Sequence, residues 1–232
     1  MKQLSLLTVI SIGTILLTSC ASNETSESNK VMQSEIFQTY DVSYDATDEE
    51  LDVYASFRFG GENGTTLKLV DKSKFFYNDI EISSHKSSWF GTSYKYEKAG
   101  SLIVEHNFKY INNDGEVYEN KIPILKAEPA IENNTLSKSK GGVISWSGMP
   151  TTGKDNLEII LKDSIHIARF TTENIGANSI RVKPEELSNI SVGSGSIYIE
   201  RFINSSLQKA TQIGGKISSK YESKKLKIKI IE

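Results

Sequence analysis

The sequence predicts an all-β protein: two tandem β-sandwich domains behind a secretory signal and a polar tether. Three observations carry this. Short segments alternate apolar and polar residues at a period of two, as in the stretch ELDVYASFRF at 50–59. Gly, Asn and Asp clusters separate these segments at short intervals. Only Lys183-Pro184-Glu185-Glu186-Leu187 has a helical look, with Pro at a first helical position and two Glu at the positive end of the dipole.

The chain begins MKQLSLLTVISIGTILLTSC. Lys2 precedes an apolar run from Leu4 to Leu17, and small residues follow, the order of a secretory signal. That run is shorter than the ~20 residues a membrane-spanning helix needs. Its end, Leu17-Thr18-Ser19-Cys20, resembles the lipobox of bacterial lipoproteins, and Cys20 is the only cysteine. The resemblance implies cleavage before Cys20, diacylglycerol on its thiol, and a membrane partner reached through acyl chains. Each buried CH₂ contributes roughly 0.8 kcal/mol, and two or three chains anchor durably where one does not. Residues 1–19 are therefore expected to be a signal peptide. The polar stretch at 20–34 is expected to be the lipidated cysteine and a flexible tether. Ala21 stands where Asp favours inner-membrane retention in the enterobacterial branch of this family, so the resemblance points to the outer membrane.

The 232 residues carry 27 Lys plus Arg against 29 Asp plus Glu. No global basic field exists to attract nucleic acid. With Cys20 committed to lipid, the folded part depends on its cores alone, without disulfides or cysteine-held zinc.

Residues 35–126 read as an aromatic-rich sandwich. Of the 21 aromatic residues, sixteen lie between Glu35 and Leu125. In ELDVYASFRF, Leu51, Val53, Ala55, Phe57 and Phe59 share one face. SLIVEHNFKYI puts Leu102, Val104, His106, Phe108 and Tyr110 together, and Asp114-Gly115 marks a hairpin turn into EVYENKIPI. Residues 127–141, with Pro129 and the Gly141-Gly142 pair at its end, are expected to be a linker. Residues 142–232 form a second sandwich of Ile, Leu and Val strands: GVISW, NLEIILK, SIHIARF, NSIRV, GSIYIERF and KLKIKII. In the last, Lys225, Lys227 and Lys229 share a face that reads as solvated and as a guard against edge pairing. ISWSGMP around Trp146 resembles the buried-Trp strand of immunoglobulin-like or fibronectin-like folds, so both sandwiches are expected to be immunoglobulin-like. Lipobox plus two such modules resembles the small surface lipoproteins of Bacteroidota, an architecture that carries over no functional residues. The alternative fold is one barrel-like domain with extra strands.

Candidate chemistry is sparse. GMPTTGKD at 148–155 approaches a phosphate-binding loop, but Asp155 stands where Ser or Thr should hold Mg²⁺, Pro150 removes a backbone donor, and strand-like sequence follows. It reads as a turn, and no nucleotide is expected. His106 shares parity with core residues, His85 lies in a Ser/Lys loop, and His166 lies near Arg169. No pair has metal-ligand spacing. The acidic run Asp45, Asp48, Glu49, Glu50 and Asp52 lacks the order of a calcium loop. No catalytic residue, metal or cofactor is assigned. The one feature above background is Trp89-Phe90 within SSHKSSWFGTSYKY, a loop where aromatic rings can stack on sugars or anchor proteins. The other reading, which the sequence favours, is that Trp89 plugs the open end of the sandwich. The expected function is a non-catalytic, membrane-anchored lipoprotein at the cell envelope, with a glycan or an envelope protein as possible ligand. The alternatives are a small extracytoplasmic hydrolase acting on glycan or peptide, and an accessory subunit of an envelope machine.

Overall fold

A computed structural model describes residues 24–232; the segment expected to be a signal peptide with a lipobox, and Cys20, lie outside the described residues. The first half contains β1 (Thr25–Glu27), β2 (Ile36–Asp45), β3 (Glu50–Phe59), β4 (Thr65–Lys68), β5 (Lys74–Tyr77), β6 (Ile80–Glu81), β7 (Ser84–Ser87), β8 (Gly91–Ala99), β9 (Glu105–Ile111) and β10 (Val117–Pro123). The second contains β11 (Ala127–Ile131), β12 (Thr135–Ser137), β13 (Gly142–Gly148), β14 (Asp155–Lys162), β15 (Ile167–Thr171), β16 (Ser179–Val182), β17 (Gly193–Ser206), β18 (Gly215–Glu222) and β19 (Leu226–Ile231). The only helical elements among the described residues are short 3₁₀ turns. One is Pro184–Leu187, where the Glu186 carboxylate accepts the Lys183 backbone N–H at 2.7 Å. The all-β class and its sandwich arrangement stand as the sequence predicts.

Two hydrophobic cores form. In the first, β2, β3, β8 and β18 face the smaller sheet β10-β9-β5-β6. Its centre is aromatic: the Tyr40 ring stacks on Phe75 at 5.7 Å and on Phe108 at 5.0 Å, and Phe57 lies 4.5 Å from Tyr110. Such pairs contribute roughly 0.5–1.5 kcal/mol each beyond the area they bury. The second core lies between β14, β15, β17 and β19 on one side and β11-β13-β16 on the other, around Ile144, Trp146, Ile159, Ile197 and Ile230. Trp146 is buried there, as its strand context predicts. The predicted hairpin β9–β10 forms, with Tyr110 opposite Tyr118 and His106 opposite Ile122. Gly115 supplies the left-handed residue of its turn at φ 83°.

Three expectations are corrected. The stretch expected to be flexible up to residue 34 folds from Thr25 onward. β1 runs parallel to β4, the Thr25 hydroxyl reaches those of Thr66 and Thr92, and buried Ser28 accepts from Asn113 and from the Val70 backbone. Side-chain hydrogen bonds order a segment that has no apolar period. The expected linker at 127–141 is also built into the fold: β11 pairs with β13, and β12 runs parallel to β19. Ala127 and Leu136 are fully buried there. Finally, the segment 142–232 does not keep to the second core. β18 pairs parallel with β2 from Gly215–Gln38 to Glu222–Asp45, and Ile217 and Tyr221 enter the first core.

One sheet therefore runs through both sandwiches, in the order β1-β4-β3-β2-β18-β17-β14-β15. The 14-residue β17 is its bridge, pairing with β19 over its first part and with β18 over its last. Ile197 and Ile199 face the second core, and Ile203 packs on the first. Between them sits Arg201.

Candidate functional site

Trp89 and Phe90 occupy the turn of the β7–β8 hairpin, whose last pair is Ser87 and Gly91. A three-residue connection of this kind needs a left-handed residue at its end, and Gly91 provides it at φ 73°. The Ser87 Oγ accepts the backbone N–H of Trp89 at 3.3 Å and of Phe90 at 3.4 Å. Those donors are thus satisfied within the turn, and both rings point away from it. Trp89 is 82% exposed and Phe90 73% exposed. The plug reading is thereby corrected: the indole stands in solvent.

The remaining candidates have structural work. His106 is fully buried, stacked on Tyr77, with the Tyr77 hydroxyl 2.6 Å from its Nδ1. Burial pushes the Tyr77 phenol well above its ordinary range and lowers the His106 pKa from 6.5 to about 4. The short contact thus joins a phenol to a neutral imidazole. Asp163 folds its own loop: its carboxylate accepts the backbone N–H groups of His166, Ser191 and Ile165, which hold it far below the usual carboxylate range. His166 adds a longer contact of 3.4 Å. His85 is exposed on β7.

The turn at 148–155 cradles a cation. Arg201 donates from Nε to Asp155 at 2.7 Å, from Nη1 to the Met149 carbonyl at 2.5 Å and from Nη2 to the Pro150 carbonyl at 2.8 Å. Both charged side chains are fully buried. Burial alone would raise the Asp155 pKa; hydrogen bonds from Thr152 and Arg201 outweigh it and hold the carboxyl below its ordinary value. Carbonyls facing a guanidinium, with strand β14 following, make this turn the reverse of a phosphate cradle. The acidic run also resolves into separate parts. Asp45 accepts the Thr47 backbone N–H, and Glu49 pairs with Lys224. Glu50, Asp52 and Glu97 come within 4.8 Å of one another but are all exposed.

The fold and this turn define an all-β sandwich protein with one solvent-facing aromatic pair. Neither a family model nor a curated protein matches the chain. Among solved structures it is similar to a segment of a bacterial ice-binding adhesin, at 9% identity and TM-score 0.24, covering 84% of this chain and 65% of that one. It is similar at 10% identity and TM-score 0.25 to the FN1–FN3 domains of chicken CNTN1, covering 84% and 65%. A Bacteroides ovatus protein, SGBP-B of a mixed-linkage glucan utilization locus, solved with a mixed-linkage heptasaccharide, matches at 8% identity and TM-score 0.24, covering 79% and 54%. The chain thus spans 65% or less of the length of each of these solved chains. Superpositions this loose carry no argument about shared function.

Proposed function

We propose that this protein is a non-catalytic binding protein of the cell envelope, tethered by lipid at Cys20, that takes a glycan or an envelope protein on Trp89 and Phe90. The observation that carries the binding role is the pair of adjacent aromatic rings held in solvent on a turn whose backbone Ser87 already satisfies. A rigid indole offers a large contact surface at low entropic cost. Losing such an anchor costs typically ~2 kcal/mol in binding, about thirtyfold in affinity. Trp89→Ala is expected to leave the melting temperature unchanged and to abolish or weaken binding by that factor in a screen of envelope and host glycans. A melt lowered by many degrees, or binding equal to wild type, would overturn the assignment.

The tether rests on Leu17-Thr18-Ser19-Cys20, and outer-membrane placement on Ala21. Cys20→Ala should remove labelled palmitate from the protein and leave the precursor uncleaved; a mutant that still takes the label refutes lipidation at this residue.

A further inference from the structure

The outer face of the shared sheet carries a second candidate site, on the opposite side of β17 from the second core. Ser196 of β17 pairs with Lys162 of β14 on one side and with Lys227 of β19 on the other. One lysine of β14 and the lysine row of β19 thus flank the small hydroxyls Ser194 and Ser196. Tyr198 continues that row, and Lys225 places its Nζ 5.7 Å from the Tyr198 ring. The floor is low for a local reason. A Cβ at Gly195 would stand 2.7 Å from Ile230 Cδ1, so the missing side chain lets β17 lie close on the core. The result is a groove of about 660 Å³ lined by these residues. That volume lies within the roughly 300–1,000 Å³ of small-molecule sites.

Its charge is uncompensated. Lys162, Lys225 and Lys227 form no ion pair among the described residues, whereas the acids farther along the same face are paired with other cations. Glu158 holds Arg169, and Glu200 and Glu222 share Lys220. The one carboxylate at the groove, Asp163, is 2% exposed and turned into its loop by three backbone donors. A row expected from sequence to be a solvated guard against edge pairing therefore has another setting. β19 is no edge, since β12 and β17 flank it, and its lysines face serines across the groove.

We propose that this groove binds an acidic oligosaccharide: ammonium groups take its carboxylates or sulfates, the serines and the Tyr198 hydroxyl take its ring hydroxyls, and the Tyr198 ring takes a sugar face. A membrane surface is flat and would meet protruding cations, whereas these surround a recess. Nucleic acid would call for several stacking platforms, and the groove has one aromatic ring. The site is independent of Trp89, which belongs to the first sandwich.

The test is calorimetric titration of the chain from Ala21 onward, which contains every element of both cores. A uronate tetrasaccharide and a sulfated tetrasaccharide form two arms that separate the sources of negative charge, and a neutral glucan tetrasaccharide is the control. At least one acidic ligand should bind, with the neutral one weaker by about tenfold or more. The double variant Lys162→Gln/Lys227→Gln should lose about tenfold in affinity, and so should Ser196→Leu, which fills the floor without changing charge. Both should melt as wild type does, because the changed side chains lie on the outer face. Trp89→Ala should bind the acidic ligand normally. Three results would overturn the proposal: no acidic ligand binds; Ser196→Leu binds like wild type, which would mean diffuse attraction only; or phosphatidylglycerol vesicles or a poly(dT) oligomer are preferred over both saccharides.

Discussion

His106 illustrates how one side chain couples burial to pH. Its pKa is about 4 in the fold against 6.5 when unperturbed. Below pH 6.5 the unfolded chain takes up a proton that the folded chain refuses until about 4. Stability is thus fully present above pH 6.5 and is lost as pH falls towards 4, by about 1.4 kcal/mol per pH unit in that window. Urea unfolding at pH 7 and pH 5 should differ by about 2 kcal/mol from this group. The difference between wild type and His106→Gln isolates it from other titrating groups. Equal pH slopes in the two proteins would show that His106 is not the source. The position of His106 in the core was legible, because it shares parity with Phe108 and Tyr110. The solvent exposure of Trp89 was half legible: Ser, Lys and Gly around it marked a loop, but loop composition does not say which way an indole turns. Arg201 was not legible at all. Its partners Asp155, Met149 and Pro150 lie about fifty residues earlier, and no local pattern links them.

Strands whose alternation is strong in Ile, Leu, Val and aromatics were readable one by one: β3, β9, β10, β14 and β17. β2, β5 and β8 were not singled out although they carry aromatic residues, and three others that were missed, β18, β1 and β12, share a different chemistry. β18 shows only Ile217 and Tyr221 as large inward residues, with Ser219 between them giving its hydroxyl to the Pro123 carbonyl at 2.7 Å. β1 is held by threonine hydroxyls, and β12 by parallel pairing with β19 around a single buried leucine, Leu136. Period-two hydrophobicity detects elements that bury apolar area. It is silent on elements that are stitched in through polar side chains, and these are the ones that turn an apparent tether and an apparent linker into structure.

Sequence composition divides the molecule near residue 130, and the hydrophobic cores also divide, yet the hydrogen-bonded sheet does not. β2 and β18 pair over the eight residues from Gln38–Gly215 to Asp45–Glu222. A protease site placed in the Ser137–Gly141 turn should therefore yield two fragments that stay together on gel filtration and part only in denaturant. Two separate folded monomers under native conditions would contradict the shared sheet. Parallel pairing between residues 38–45 and 215–222 leaves no mark in either segment alone, which is why this level of organisation could not be read in advance. It has a consequence for the order of events in a growing chain. β2 emerges early and β18 far later, so one edge of the first sheet waits with open backbone groups until the chain has been made as far as Glu222. Pairings this distant close slowly. The N-terminal half cannot finish early and wait: its completion is timed by the C-terminal end, and a chain truncated before Gly215 would leave β2 as an exposed edge.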